Sequence, residues 1–318
     1  MRLMPIWLFF YIYISIAPAS LLAAVVSGTI DVNTTWVIGD SPYQVDGVVS
    51  VAFDITLTIE PGVIVEFSHE AALIVDGNLV ARGTERDSIR FTSSGADTAG
   101  SWDGIALNGT TKETSWNAKG EFTGIGSVMS YCVIEYAGRG LLALGSALSI
   151  NSSSPLIEHS TIINCAGETG TIRCGNLSRA LIQNCLITQN IAIRGGAVSL
   201  GVGSKTVLQN NVFAFNTAED NGGAIYLSIA EADILKNSFM GNKAGGHGGV
   251  IFAAKSSHLL ITGNTMIGNS AEYDSPGIYF TGEVQSEIIS NVVILPAQTV
   301  GGTAKGILGW RKVLQRRN

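Results

Sequence analysis

The acidic and basic side chains in the second half of the chain could carry out carbohydrate chemistry. Enzymes that cleave polysaccharides need clustered carboxylates for acid–base steps or for calcium, and a basic residue for an acidic sugar. The chain has one adjacent acidic pair with four other charged residues close to it, and the six are Glu219, Asp220, Glu231, Asp233, Lys236 and Lys243. They would share one face if the coils stack in the register that the repeat indicates, and a solvated, charge-balanced surface is commoner there than a catalytic centre.

A second set of candidates precedes each of four glycine-rich steps in the sequence. Its members are Arg194, Asn221, His247 and Ser275. Such a polar strip could bind the hydroxyl groups of a glycan or an acidic sugar. Because the four side chains share no chemistry, we favour a corner of the fold that accepts any hydrophilic residue.

Aromatic residues form a third set, three positions beyond the last glycine of each step. They are Tyr226, Phe252 and Phe280. Facing outward, they would form a stripe for sugar stacking or protein docking, because an exposed apolar patch usually marks an interface. Facing inward, they would fill the core. We favour burial, since phenylalanine is among the residues most often found inside proteins.

The sequence predicts no metal or cofactor site. Its four histidines fall at unrelated positions, and its cysteines lack metal-binding spacings such as C-x-x-C. These cysteines are Cys132, Cys165, Cys174 and Cys185. In an exported protein a disulfide between Cys165 and Cys174 is our first expectation, and small buried hydrophobic side chains are the alternative.

The elements that must position these residues repeat along the chain. One asparagine column recurs at intervals of 26, 27, 27 and 27 residues, namely Asn184, Asn210, Asn237, Asn264 and Asn291. A second column should form a hydrogen-bonded ladder between turns, and its members are Asn190, Asn216, Asn242 and Asn269. A period of 20–50 residues indicates a solenoid, because one repeat cannot bury its apolar face alone.

Short apolar segments separated by turn residues predict an all-β fold, a right-handed single-stranded parallel β-helix. Each coil should hold three short strands, and nine or ten coils would make a rod about 45 Å long. Glycine pairs would supply the positive-φ corner between strands, with Pro276-Gly277 as a degenerate version. A leucine-rich repeat would need leucines at fixed offsets, and a propeller blade needs about 40 residues or more.

The organisation along the chain follows from these repeats. Residues 1–24 read as a signal peptide, with Arg2 before an apolar run at residues 6–16 that is short for a membrane anchor. Residues 25–107 should form the cap and first coils, residues 108–127 a projecting loop, residues 128–295 the regular coils, and residues 296–318 a tail. The mature chain would then lack a transmembrane segment and be secreted or held on the outer surface of a bacterium.

Charge limits the kinds of partner. The net charge is −6, and basic residues cluster only in the last eight positions. Binding of nucleic acid needs clustered lysine and arginine, so we do not expect it. An extracellular polysaccharide or a surface protein is the expected partner.

Two alternating motifs resemble those of bacterial polymorphic outer-membrane protein repeats. They are F-A-F-N at residues 213–216 and F-M-G-N at residues 239–242, alternating with G-G-A-I at residues 222–225. The string L-T-I-E-P-G-V at residues 57–63 is similar to the opening module of secreted β-helix repeat proteins. The resemblance implies a secreted or cell-surface β-helix, in some members an adhesin passenger domain.

Two functions are therefore expected, and they differ in chemistry. The first is a non-catalytic, adhesin-like or glycan-contacting structural protein. The second is a carbohydrate-active enzyme, such as a polysaccharide lyase, hydrolase or epimerase, on the same scaffold. The resembling proteins usually carry a large C-terminal membrane domain. Release, retention by another protein, and a fragment of a longer surface protein all remain open.

Overall fold

The computed structural model describes residues 23–109, 126–138, 140, 145–175, 177–255, 257–294 and 307–309. Nearly all of the predicted signal peptide, most of the predicted projecting loop and most of the predicted tail lie outside these ranges. The described chain is all-β, apart from a single turn of 3-10 helix at Ile38–Asp40. Among these residues, no helix has the length and apolarity to cross a bilayer.

A ten-stranded parallel sheet forms the first face of the coil, called face 1. Each strand pairs with its equivalent in the previous and the next turn, so about nine turns stack over roughly 43 Å. Its strands are Thr34–Trp36, Thr56–Ile59, Asn78–Arg82, Val128–Ser130, Leu156–Glu158, Leu181–Gln183, Lys205–Gln209, Glu231–Leu235, Ser257–Thr262 and Val284–Ile289.

A twenty-stranded sheet supplies two further faces, joined because the strands Ala24–Ile30 and Tyr43–Val51 run through both. Face 2 continues with Ile64–Phe67, Ile89–Ser93, Cys132–Glu135, Thr161–Ile163, Leu186–Thr188, Val212–Ala214, Ser238–Met240, Thr265–Ile267 and Val292–Ile294. Face 3 continues with Ala72–Val75, Gly104–Asn108, Leu148–Asn151, Ile172–Gly175, Val198–Leu200, Ile225–Ser228, Ile251–Ala254, Ile278–Thr281 and Ile307–Gly309.

Five two-residue strands form a further sheet at the corner between face 2 and face 3. They are Ala166–Gly167, Ile191–Ala192, Thr217–Ala218, Lys243–Ala244 and Ser270–Ala271. The predicted β-helix with three main strands per coil is confirmed, and these short strands are an addition that the sequence analysis did not foresee. Small alanines suit the position, since each of the five strands contains one and four of these alanines are at most 1% exposed.

Alternating side chains fill the interior of the coil. On face 2, Phe213 and Phe239 are fully buried and stack with ring centroids 4.9 Å apart. Near the N-terminal end, Phe67 and Trp102 stack at 3.9 Å, and the Trp102 indole donates a 2.9 Å hydrogen bond to the carbonyl of Glu135. Such aromatic pairs contribute about 0.5–1.5 kcal/mol beyond the burial of their area.

The second asparagine column lies in a straight line between face 2 and the corner strands. The amide nitrogen Nδ2 of each residue donates to Oδ1 of its equivalent one turn on, over 3.0, 3.0 and 2.9 Å. Each Nδ2 also donates to a backbone carbonyl of the preceding turn, at 2.9–3.0 Å. The line comprises Asn190, Asn216, Asn242 and Asn269, all at most 3% exposed.

The first asparagine column requires a correction. Asn237 accepts a hydrogen bond from the side-chain amide of Asn211 and not from Asn210. The first column therefore forms its own ladder, which consists of Asn211, Asn237, Asn264 and Asn291. Asn184 and Asn210 lie one residue earlier, at φ of 53° and 54°. Asparagine adopts this left-handed conformation more readily than other non-glycine residues, because its short polar side chain bonds locally. The predicted column therefore mixed asparagines with two different roles, positive-φ turn residues and members of a hydrogen-bonded ladder.

The glycine step forms the corner before face 3. Gly222 has a φ of 72°, and a Cβ built on it would lie 2.3 Å from the carbonyl oxygen of Ile225. In the last step Ser275 takes this place at a φ of 56°, and Ile251 pairs with Ile278. Pro276 therefore aligns with the second glycine of the other steps. The predicted alignment of Pro276 with the first glycine was wrong by one residue.

Candidate functional site

The charged residues proposed for catalysis do not share one face. Glu219 and Asp220 follow the corner strand Thr217–Ala218, and Lys243 lies in the next corner strand. Asp233, by contrast, lies on face 1, and Lys236 follows it at the turn towards face 2 with a φ of 54°. The expected single cluster is therefore split between two sides of the coil.

The aromatic column also needs a correction. Strand pairing places Tyr226 beside Phe252 and Phe252 beside Tyr279, whereas Phe280 continues the inward column of Leu227. Phe280 is buried, as expected for the core. The other three side chains point outward from face 3, with Phe252 8% exposed and the two tyrosines half-buried. We call these three residues, Tyr226, Phe252 and Tyr279, the aromatic stripe.

The rings of the aromatic stripe stack on one another along the helix axis. The centroids of Tyr226 and Phe252 are 5.4 Å apart with planes 3° from parallel, and those of Phe252 and Tyr279 are 5.5 Å apart at 12°. This stacking covers the ring faces within the stripe. Its outer surface therefore consists of ring edges, and in the preceding turn the strand position paired with Tyr226 is occupied by Ser199.

A polar column runs beside the aromatic stripe at the corner before face 3. In the last turn the glycine step begins at Ser275 and not at Pro276, so the residue before the step, which completes this column, is Asp274. Ser275 itself is buried. We call the corrected set the corner column, which consists of Arg194, Asn221, His247 and Asp274.

Hydrogen bonds and ion pairs link the corner column from turn to turn. Arg194 Nε donates to Asp220 Oδ2 over 3.1 Å, and Asn221 Nδ2 donates to Asp220 Oδ1 over 2.6 Å. Asn221 Oδ1 accepts the backbone N–H of His247 at 2.8 Å. Nδ1 of His247 lies 3.7 Å from Asp274 Oδ2. The sequence analysis named Asp220 only as a candidate for catalysis and preferred a solvated, charge-balanced surface, and in the structure Asp220 pairs with Arg194.

The corner column and the aromatic stripe touch each other. The guanidinium carbon of Arg194 lies 5.6 Å from the ring centroid of Tyr226, a cation–π distance. The His247 ring stacks on Tyr279 with centroids 4.5 Å apart and also contacts Tyr273 at 5.5 Å. The two columns thus form one continuous surface of aromatic and hydrogen-bonding groups across four turns.

A groove of about 320 Å³ lies on the outer side of face 1, and the sequence analysis missed it as a site. Asp233, Leu260 and Glu287 are neighbours in one outward column. The adjacent column consists of Glu231, His258 and Gln285. Their strands share no motif, so only the register of pairing brings them together.

Charge in this face 1 groove is mainly negative. Lys205 Nζ pairs with Glu231 Oε2 at 2.8 Å. Partial burial, and then the neighbouring carboxylate of Glu231, raise the pKa of Asp233 above its ordinary value. The groove therefore holds three carboxylates, those of Glu231, Asp233 and Glu287, and acid–base catalysis commonly uses a pair. One of the three, Asp233, is biased towards its protonated form.

The four cysteines are free, buried thiols, so the expected disulfide between Cys165 and Cys174 is wrong. Burial raises the pKa of Cys165, Cys174 and Cys185 to about 12, and that of Cys132 is raised further. A thiol of this kind is a poor nucleophile. Within the described ranges, no group of three or more histidine, cysteine or acidic side chains is arranged to hold a metal ion.

Comparison with known proteins agrees with the fold. Residues 170–301 match the family model described as a right handed beta helix region, and residues 28–139 match the model of a pectate-lyase like beta helix domain. No curated protein and no solved structure matches the chain. The matches and the stacked parallel sheets define its class as a β-solenoid. The chain is a right-handed β-helix repeat protein, and the closer resemblance to polymorphic outer-membrane protein repeats stays a prediction.

Proposed function

We propose that the protein is an exported, non-catalytic β-helix that contacts a polysaccharide through face 3. The contact surface consists of the aromatic stripe and the corner column. The observation that carries the proposal is the continuous contact of Arg194, the stripe and His247 along four turns.

The chemistry of this surface suits a hydroxyl-rich, repeating ligand. The ring edges of the aromatic stripe offer apolar contact to the C–H groups of a sugar. The guanidinium of Arg194 and the imidazole of His247 offer donors beside it. Because equivalent groups recur about every 4.8 Å along the axis, a ligand that repeats along its own length can contact several turns at once.

Binding to immobilised polysaccharides tests this proposal. A panel should include uronate-containing and neutral polymers, and Tyr226→Ala with Tyr279→Ala should weaken retention of the protein on the polymer that binds. Phe53→Ala is the matched control, because Phe53 is 52% exposed and lies outside the surface. Tyr226→Phe removes the hydroxyl and keeps the ring, so it distinguishes their contributions to binding. Equal binding by the native protein and the double variant would contradict the proposal.

A carbohydrate-active enzyme is the second candidate function, and the face 1 groove favours it. Asp233 would act as the acid, since its raised pKa keeps a proton available at higher pH than an ordinary carboxyl. Incubation with the same polymers, followed by detection of reducing or unsaturated ends, tests this function. Turnover that disappears in Asp233→Asn, and persists in Glu219→Gln, would assign catalysis to the groove.

Export forms part of the proposal and is tested separately. If residues 1–24 are a signal peptide, protein recovered outside a bacterial cytoplasm should begin near residue 25. N-terminal sequencing of the recovered protein checks this start. Retention of residue 2 in the recovered protein would contradict cleavage.

A further inference from the structure

The outer surface of face 2 is uncharged over six successive turns, and the polysaccharide proposal does not use it. In the six strands from Thr161–Ile163 to Val292–Ile294, the middle residue points into the coil, while the first and third point outward. Every one of these outward side chains is apolar or is a serine or threonine. Leu186, Val212 and Met240 are exposed. We call these outward positions the face 2 patch. A contiguous exposed apolar surface usually marks an interface.

Large and small side chains follow a regular pattern in the face 2 patch. Strand register aligns the outward positions in two columns along the axis of the coil. Over the four central turns the first column consists of Leu186, Val212, Ser238 and Thr265, and the second of Thr188, Ala214, Met240 and Ile267. The large side chain lies in the first column in two turns and in the second column in the next two. Reversal of the patch end to end therefore exchanges large for small at every central position.

We propose that the face 2 patch binds a second copy of this chain, with the two coil axes antiparallel. The two-fold axis lies between the sheets, parallel to the strands, and passes between Val212 and Ser238. Facing sheets pack about 10 Å apart. In the central turns Leu186 lies opposite the partner's Thr265, Val212 opposite the partner's Ser238, Met240 opposite the partner's Ala214, and Ile267 opposite the partner's Thr188. At the ends Thr161 lies opposite the partner's Val292, and Ile163 opposite the partner's Ile294 is the single pair of two large side chains.

Charges on the earlier turns of face 2 determine the antiparallel direction. Arg90 Nη1 lies 2.6 Å from Glu135 Oε1, and Glu66 also points outward. In a dimer with parallel axes each turn would face its own equivalent, which would place Glu66 against the partner's Ile64. Burial of an unpaired charge against an apolar group is costly. In the antiparallel dimer these turns extend beyond the partner's strand Val292–Ile294, the last described strand of face 2, and stay in water.

The corner beside the patch agrees with the antiparallel arrangement. Phe215 is 58% exposed, and its ring covers Gly241 of the next turn, where an added Cβ would lie 2.7 Å from the ring. Across the two-fold axis Phe215 lies opposite the partner's Gly241, so the two phenylalanine rings pack beside each other.

The size of the patch sets the expected affinity. Six strands and about five residues across them give roughly 450 Å² of flat area per partner. The total of roughly 900 Å² is close to the lower limit of specific interfaces, so the dissociation constant should be on the order of micromolar.

Sedimentation equilibrium of the full chain tests the dimer, over a range from about 1 μM to about 300 μM that spans the expected dissociation constant. The mass should rise from that of one chain to that of two. Val212→Glu should weaken the dimer at least about tenfold, because it buries a charge near the two-fold axis. Val202→Glu is the matched control, since Val202 is exposed in a turn between face 3 and face 1. An unchanged melting temperature verifies that both variants fold.

A pair of opposite charges tests the register. Ser238→Lys alone should also weaken the dimer. An equimolar mixture of Val212→Glu and Ser238→Lys chains should associate more tightly than either variant alone, because the new carboxylate lies opposite the new ammonium group of the partner. In a parallel dimer position 212 would face position 214, and the mixture would show no recovery.

Four results would overturn the proposal. They are a single-chain mass at every concentration, an equal loss in the Val202→Glu control, a mixture no tighter than its components, and retention on phosphatidylcholine vesicles that Val212→Glu abolishes. The last result would assign the patch to a lipid surface. Face 3 stays open in the dimer, so Tyr226→Ala should leave the dimer intact, and either proposal can fail without the other.

Discussion

Asn216 Nδ2 donates a 3.0 Å hydrogen bond to Oδ1 of Asn242 in the next turn while also donating to the carbonyl of Ile187 at 2.9 Å. Its own Oδ1 accepts both the backbone N–H and the Nδ2 of Asn190. A single buried amide therefore satisfies polar groups in the turn before it and in the turn after it, and so links three successive turns. This arrangement makes the ladder a principal determinant of stability.

Replacement of Asn216 by alanine should destabilise the fold strongly. Each buried group left without a partner costs about 1–3 kcal/mol, and the change leaves several. Urea denaturation should show a large decrease in the free energy of unfolding. Asn210→Gly is the control and should change it by less than about 0.5 kcal/mol, because Asn210 is exposed and its positive φ suits glycine. Equal effects of the two changes would contradict the assignment of Asn216 to a hydrogen-bonded ladder and of Asn210 to an exposed turn.

Gly222→Ala should destabilise the fold more than Gly268→Ala. Both glycines have positive φ, 72° and 64°, so both changes add the left-handed strain of about 1–2 kcal/mol. Only at Gly222 would the new Cβ meet backbone, because no atom lies within 4 Å of the Cβ position at Gly268. Thermal denaturation measures the difference. A smaller decrease in melting temperature for Gly222→Ala would contradict the crowding at this corner.

The native protein should resist alkylation of its thiols. All four cysteines are buried, and their raised pKa values leave almost no thiolate at pH 8. Mass spectrometry after iodoacetamide treatment should show no modification in buffer and four modifications in denaturant. Rapid modification of the native protein, or a peptide that links Cys165 to Cys174, would contradict this prediction.

Stability should fall as the pH rises above about 9. The folded thiols of Cys165, Cys174 and Cys185 have a pKa of about 12, against 9.0 for an ordinary thiol. Between these values the unfolded chain has lost protons that the folded chain keeps, so the free energy of unfolding decreases with pH. Below pH 8 the thiols contribute no slope. Urea denaturation from pH 7 to pH 10 checks this, and Cys174→Ala should show a shallower decline than the native protein.

The fold could be predicted from sequence because a repeat places the same residue at the same point of every turn. The ladder of Asn190, Asn216 and Asn242 and the positive-φ glycines followed from this rule. The errors at the last corner arose because Pro276-Gly277 was aligned with the glycine pairs of the other turns. That alignment put Phe280 in the place of Tyr279 and Ser275 in the place of Asp274, one residue too late.

The face 1 groove was missed for a different reason. Its outward residues differ in every turn, since Asp233, Leu260 and Glu287 have no chemical type in common. They form no motif of their own, so only their positions relative to the repeat bring them together. Each lies four residues before a ladder asparagine, a signal that could have placed them side by side.

The pairing of Val212 with Ser238 marks one complete turn, residues 212–237. Excision of this segment would bring Asn190 opposite Asn242 and Ser199 opposite Phe252, with every remaining column continuous. Recombination between repeats can thus shorten or lengthen the molecule without a new fold. Under the proposed polysaccharide contact, the number of rings available to the polymer would change by one with each event, which would tie avidity to gene length.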